Sequence, residues 1–396
     1  MKNQDRSSTQ LVQIITVPIS LPFLRGQPSY MRQRGIETTI ISSPGNELTT
    51  FSSEENIGAV AVPMSREISL AADIISLWRL VRCLMRLRPH IVHAQTPKAG
   101  LLGMIAAWLT RRPVRIYSIL GLRYMTTSGG TRWLLKWSER LSCALANKVI
   151  CVSPSVMEQA VVDKLVTCRK VTVLANGSVN GVDAESRFNP DRFSAKYRDD
   201  FRSELDLTDK DLVIGFAGRL VRDKGIEELC EAWKLLRSKF VLAKLVLLGV
   251  EESYDPFIQG ALDTLRQDSR VYFAGHSSSP ERWYSIMNVL VLPSHREGFP
   301  NVLLEASAMR LPVVATNIPG CIDAVENGVT GKLIAVRDTG ALVEAIASYL
   351  ADPVLRIQHG RAGRRRVVKT FGQEKIWAEI YEQYAGLLQK RGLHIK

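Results

Sequence analysis

Apolar positions in this chain come in short continuous runs separated by longer stretches with helical periodicity. Leu11-Val12-Gln13-Ile14-Ile15-Thr16-Val17 has the β-branched, nearly unbroken apolar character of a strand buried on both faces. Comparable runs fall at 38–41, 60–63, 91–93, 114–117, 148–152 and 170–174, and helical patterns at 70–87, 98–109, 131–146 and 155–163 lie between them. Strands alternating with helices predict βαβ units and a parallel sheet. The turn-rich segment Asn176-Gly177-Ser178-Val179-Asn180-Gly181-Val182-Asp183 and a polar stretch to Lys210 interrupt the pattern. Strand-like runs then resume near 212–217, 243–249, 271–274, 288–292, 312–315 and 331–334. The pattern predicts an α/β protein with a polar tail (1–10), a first domain (11–183), a linker (184–210) and a second domain (211–371). A last segment (372–396) carries an amphipathic helix over 373–389 with Trp377, Tyr381 and Tyr384 on its aromatic face.

A length of 396 residues suits two domains of this kind. Six cysteines are scattered without a C-x-x-C pair, so neither a disulfide framework nor a zinc site is expected, and a reducing cytoplasm is. The first ten residues are polar, so no secretory signal is expected, and the apolar run 99–109 is far short of a membrane span. Charge changes the picture more. Residues 1–190 hold 23 basic and 12 acidic residues (+11), the remainder 29 against 27 (+2), and the window 66–148 alone has 14 against 3. Such a field points to a polyanionic partner: anionic lipid, a lipid-linked phosphate or nucleic acid. A merely solvated basic surface accounts for it as well. No RNA-binding motif accompanies the charge, so nucleic acid is not expected.

Two clusters carry candidate chemistry. In Pro293-Ser294-His295-Arg296-Glu297-Gly298-Phe299-Pro300-Asn301-Val302-Leu303-Leu304-Glu305, Glu297 follows a strand and Glu305 lies about one turn into the next helix. A helix N-terminus, with its unpaired N–H groups, then stands between two hydroxyl acceptors, which suits a ligand with an anionic middle and polyol ends. An ordinary strand–loop–helix with an acidic rim explains the spacing equally well. In the second cluster, Asp211 to Ala217 reads as a strand running into Gly218-Arg219-Leu220, with Lys224-Gly225 before a helix. Arg219 and Lys224 would project past the strand's carboxyl end, where open α/β sheets bind ligands, and could neutralise a diphosphate.

Together these clusters resemble the donor site of retaining GT-B glycosyltransferases with the E-x7-E signature (glycosyltransferase family 4). Val17-Pro18-Ile19-Ser20, Pro63-Met64-Ser65-Arg66-Glu67-Ile68, His93 to Gly100 and Ile318-Pro319-Gly320-Cys321 resemble the bacterial subgroup that builds capsule and O-antigen. The resemblance implies two Rossmann-like domains facing across a cleft, with the last helix returning to the first domain. It implies transfer of a sugar, with retention, from a nucleotide-sugar (uridine rather than guanosine) to a polyprenyl-diphosphate-linked glycan. A nucleotide-sugar epimerase or hydrolase on the same fold is the alternative. Catalytic roles fall on Glu297, Arg219 and Lys224, with Glu297 on the donor sugar and Glu305 on the ribose. Donor-binding roles fall on Gly26, Gly218, Gly298, Phe299, Asn301, Val302 and Glu305. No Asp-x-Asp metal motif is read in the chain, so no metal and no cofactor are expected.

The same resemblance places the acceptor phosphate at the helix opening with Thr96-Pro97-Lys98 and assigns acceptor contacts to His93, Thr96, Lys98 and Arg123. Two positions depart from the family pattern: Leu120 stands where relatives have a histidine, and Gln95 where many have a second one. The helix 70–87 sets Arg79, Arg82 and Arg86 on one face beside Ile74, Trp78 and other apolar residues, and Trp133 and Trp137 flank Lys136 further on. Such faces suit an anionic inner-membrane surface, with the protein peripheral on its cytoplasmic side. A sheet-packed helix with a basic solvent face looks the same in sequence.

Overall fold

Seven strands make up the first sheet: β1 (Thr9–Ile14), β2 (Ile36–Ser42), β3 (Gly58–Ala61), β4 (Ile91–Gln95), β5 (Val114–Ile119), β6 (Lys148–Cys151) and β7 (Val171–Val173). They lie in the order β3-β2-β1-β4-β5-β6-β7, every neighbouring pair parallel. These coordinates are a computed structural model that describes residues 8–65, 69–251 and 256–395. Most of the expected tail, and Arg66-Glu67-Ile68 of the resemblance motif, lie outside the described residues. The near-continuous apolar runs have their reason in two covered faces. Helices Leu70–Leu87, Pro97–Leu109 and Gly129–Leu145 seal one face through Leu80, Leu84, Met104 and Cys143. On the other, Leu11, Ile91 and Ile116 are buried beneath Ile376, Ile380 and Tyr384 of helix Gln373–Gln389. The first compact unit therefore combines the chain up to Asn180 with Gln373 onward.

The second unit, Gly181–Gly372, holds six strands: β8 (Leu212–Ala217), β9 (Ala243–Leu248), β10 (Val271–Gly275), β11 (Val289–Leu292), β12 (Val313–Thr316) and β13 (Gly331–Ile334). Their order is β10-β9-β8-β11-β12-β13, again all parallel. The stretch 184–210, read from its polarity as a linker, is built into this unit. It folds into helix Ala195–Ser203, buries Phe201, and ties Arg202 to the carbonyls of Thr208, Asp211 and Ile286.

Strand order reverses between β1 and β4 in the first sheet and between β8 and β11 in the second. Crevices at the carboxyl ends of such switch-point strands are where open α/β sheets hold ligands. The two sequence clusters follow β8 and β11.

Candidate active site

β8 pairs with β11 in parallel, Gly215 opposite Leu290, so their carboxyl ends emerge side by side. Beyond β8 the chain turns at Gly218 (φ 154°), makes a 3-10 turn over Arg222–Lys224, and enters helix Ile226–Lys239 through Gly225. Gly225 has φ 72°, and a Cβ there would lie 2.1 Å from the Pro293 carbonyl oxygen. Only glycine allows this approach, and it brings Lys224 against the loop that follows β11. The Lys224 ammonium donates to Glu297 Oε1, which also accepts from Ser294 Oγ at 2.7 Å. Both charged side chains are largely shielded, at 18% and 9% exposure. Two further pairs fix the loop: Arg296 Nη2 to Asp223 Oδ2 at 2.7 Å, and His295 Nε2 with Glu228 Oε1 at 2.8 Å. Burial pushes the Asp223 carboxyl up, but Arg296, His295 and Lys224 outweigh it and hold it below the usual carboxylate range. Glu228 is held low by its hydrogen bond to His295, again against the effect of burial.

Helix Asn301–Ala308 opens at the end of this loop with Pro300 at its cap position, which supplies no side-chain hydrogen bond. Asn301 and Val302 are half-buried in its first turn, and Glu305 follows on the fifth residue. Burial raises the Glu305 carboxyl above its usual value, and the Tyr284 hydroxyl, donating to Oε2 at 3.0 Å, opposes that rise. Phe299 is 8% exposed and packs on Phe371 with ring centroids 5.5 Å apart, so its ring belongs to the packing and only its backbone can meet a ligand. Gly298 is buried as well, and its carbonyl oxygen would stand 2.2 Å from a Cβ at Gly320, whose φ is 86°. The Ile318-Pro319-Gly320-Cys321 segment therefore supports the glutamate loop from behind.

Arg219, Lys224, Glu297, Asn301 and Glu305 thus lie along the carboxyl edge of one sheet. Sequence reasoning missed Ser294, Asp223, His295 and Tyr284. For Asp223, His295 and Tyr284 no spacing rule helps, because their contacts join positions 21 to 73 apart, while Ser294, three residues before Glu297, carries no motif of its own. An Asp-x-Asp triplet does occur at Asp209-Lys210-Asp211, but it precedes β8, and Asp211 accepts from the Thr208 N–H and hydroxyl at 2.7 and 2.8 Å. Among the described residues no group of three His, Cys, Asp or Glu could hold a metal ion.

In the first unit several expected contacts are corrected. His93 is 3% exposed, with Nδ1 2.7 Å from Tyr384 Oη and Nε2 2.7 Å from Ser118 Oγ. Burial lowers its pKa to about 3, so it is a neutral strut within the core rather than an acceptor contact. Lys98, expected to meet a phosphate, donates to Asp73 Oδ1 at 2.7 Å and is mostly covered. Thr96 has φ 70° and shares a 2.7 Å hydrogen bond with Thr16 Oγ1, which also accepts from the Ala99 N–H. One N–H of the helix opening at Pro97 is therefore already satisfied. Gly26 does permit a close approach, but by Trp377: a Cβ would come 2.6 Å from the indole, and the Gly26 N–H donates to Glu55 Oε1 at 2.9 Å. Arg123 is exposed on a 3-10 turn after β5.

Residues 197–366 match the family described as glycosyl transferases group 1, and residues 24–177 match the glycosyl transferase 4-like domain. The capsular polysaccharide biosynthesis glycosyltransferase CapM of Staphylococcus aureus is 36% identical over 391 residues, covering 98% of this chain and 99% of that protein. The Escherichia coli UDP-Gal:alpha-D-GlcNAc-diphosphoundecaprenol alpha-1,3-galactosyltransferase is 27% identical, with 89% of each covered. Among solved structures, Anabaena HepE in complex with UDP and glucose superposes with a TM-score of 0.78 at 17% identity, covering 95% of this chain and 99% of that one.

Proposed function

The chain belongs to the group 1, 4-like glycosyltransferases, in the company of enzymes of cell-surface polysaccharide synthesis, and we propose that it moves a sugar from a UDP-linked donor, with retention, onto a lipid-diphosphate-linked glycan. The observation that carries this reading is the Lys224–Glu297–Ser294 contact at the switch point of the second sheet. An ammonium has three donors, so Lys224 can keep Glu297 and still donate to a diphosphate. Arg219 and the N-terminus of helix Asn301–Ala308 add positive potential on the same edge. In transfer, the bond from the anomeric carbon to the diphosphate breaks while a bond to the acceptor oxygen forms on the same face. The acceptor's proton passes to the departing diphosphate, whose growing charge Arg219, Lys224 and the helix end stabilise. Glu297, anchored by Ser294 and Lys224, accepts from donor-sugar hydroxyls, and Glu305 from the ribose.

A lipid-linked acceptor brings the protein to a bilayer. Exposed apolar side chains on the first unit support that: Ile74 (66%) and Trp78 (56%) on helix Leu70–Leu87, and Trp133 (63%) and Trp137 (50%) on helix Gly129–Leu145. Arg79, Arg82 and Arg86 are exposed among the first pair, with the Arg82 guanidinium 4.5 Å over the Trp78 ring. Lys136 takes no part, being held by Asp163 at 2.6 Å. No described helix is long and apolar enough to cross a membrane.

A thermal-shift panel of nucleotides tests the donor, because a ligand that binds only the folded state raises the melting temperature. UDP and a UDP-sugar should stabilise more than GDP at equal concentration. Stabilisation by guanosine nucleotides alone would overturn the uridine assignment. Glu297→Gln should act mainly on kcat and Glu305→Gln mainly on donor KM. Full activity in either variant would remove that residue from the site.

A further inference from the structure

Helix Pro353–Thr370 bears six basic side chains and no acidic one. Three of them point inward as staples: Arg356 onto the Tyr349 and Leu350 carbonyls, Arg364 onto the Ala308 carbonyl at 2.7 Å, and Arg366 onto Asp323 and Ala324. The other three, Arg361, Arg365 and Lys369, are spaced four apart and form one exposed stripe. They line a groove of about 1080 Å³ whose other wall carries Arg198 and Arg310. Ile357 and Val368 give it apolar contact surface, and no carboxylate lines it among the described residues. Arg310 is paired bidentately with Asp191 at 2.7 and 2.8 Å. Arg198, Arg361, Arg365 and Lys369 have no side-chain hydrogen bond or ion pair among the described residues.

Like charges four apart on a helix repel and cost stability. Here they converge on a concavity where the nearby acid, Asp191, is taken up by Arg310, and Arg361, Arg365 and Lys369 have no acid paired with them among the described residues. A counter-ion of matching charge would relieve it, and the guanidinium groups fit tetrahedral phosphate oxygens in paired hydrogen bonds. We propose that this groove is an anion site for a ligand carrying two or more phosphate groups, separate from the candidate donor edge. Its placement supports the separation. Arg310 follows the carboxyl end of helix Asn301–Ala308, whereas the donor edge lies at that helix's amino end. The two sites are also mechanically joined. Helix Pro353–Thr370 approaches so closely that a Cβ on Gly360 would lie 2.0 Å from the Arg310 carbonyl oxygen, and one on Gly363 would lie 3.2 Å from Ser307 Cβ. A ligand that draws the basic helix toward Arg198 therefore acts on the helix that carries Glu305.

Isothermal titration with inorganic tripolyphosphate at low salt tests the site in four full-length proteins: wild type, Arg361→Gln/Arg365→Gln/Lys369→Gln, Arg198→Gln and Lys224→Ala. The triple variant should weaken this binding by about tenfold or more, the scale for losing several charge-assisted contacts, and Arg198→Gln should weaken it from the opposite wall. Lys224→Ala should retain it. Equal binding by wild type and both groove variants, or loss confined to Lys224→Ala, would overturn the proposal. If the triple variant fails to fold, Arg198→Gln alone decides. Co-sedimentation with vesicles of anionic phospholipid separates the sources of phosphate. Loss of vesicle binding in the groove variants, with tripolyphosphate ineffective, would assign the site to lipid headgroups. Unchanged vesicle binding with lost tripolyphosphate binding assigns it to a free oligophosphate, the result a concave groove predicts.

Discussion

Glu139 is a carboxyl group buried in the first unit. It is 3% exposed on helix Gly129–Leu145 and accepts a 2.7 Å hydrogen bond from the Tyr117 hydroxyl. Burial pushes its pKa from 4.5 to about 7, the hydrogen bond opposing only in part. The folded state therefore holds a proton that the unfolded state releases, so stability falls as pH rises from about 4.5 to about 7 and is level above that. Integrated, the shift amounts to roughly 3 kcal/mol. Glu139→Gln keeps an acceptor for Tyr117 and removes the titration, so its advantage in melting temperature over wild type should grow between pH 5 and pH 8. Parallel curves for the two proteins would show that Glu139 does not titrate in this range. Gly225→Ala makes a different residue-scale case: it forces a Cβ into the Pro293 carbonyl at positive φ. It should destabilise by about 1–3 kcal/mol, the usual cost of such backbone strain, and weaken donor binding with it, because Lys224 is displaced. Unchanged melting and unchanged donor KM would contradict the role given to this glycine.

Among elements, helix Leu70–Leu87 carries the sharpest prediction. If it rests on an anionic bilayer, wild-type protein should pellet with anionic vesicles at low salt and detach as salt rises. Arg79→Gln/Arg82→Gln/Arg86→Gln should lose a few kcal/mol of that binding, at about 1 kcal/mol per basic residue near the surface. Equal pelleting with neutral and anionic vesicles would show the face to be only solvated. The strands of both sheets were legible in sequence because strands covered on both faces leave unbroken apolar runs, as at Leu11–Ile14 and Val289–Leu292. Edge strand β3 was read two residues late, since Gly58–Ala61 is mostly exposed and lacks that signal. Helices Thr339–Ala351 and Pro353–Thr370 went unread: the first is apolar nearly all round, and the second is so basic that no apolar stripe stands out. The placement of Arg219 and Lys224 after β8 and of Glu297 and Glu305 after β11 was legible because each strand ends in a turn with distinctive chemistry. The acceptor residues were not, because a sequence cannot show that His93 spends both nitrogens on Tyr384 and Ser118, or that Lys98 is taken by Asp73.

On the scale of the whole molecule, two parallel-sheet units share one chain, and the second closes with Gly372 just before the last helix joins the first. That helix is held there by Tyr384 on His93 and by Trp377, whose indole donates to Asn180 Oδ1 at 2.6 Å. Basic charge concentrates in the first unit, and the residues proposed to hold the donor lie in the second, so binding to membrane and binding to donor should be separable by mutation. The most direct test is transfer itself: UDP release from a UDP-sugar with a lipid-diphosphate acceptor, measured for wild type and Lys224→Ala with EDTA present. Loss of a charge-assisted contact to the diphosphate should lower kcat/KM by about 1.5–3 kcal/mol, more than a tenfold drop, while wild-type activity persists in EDTA. Wild-type rates in Lys224→Ala, or EDTA inhibition of the wild type that added Mg²⁺ reverses, would contradict a metal-free donor site built on Lys224 and Glu297.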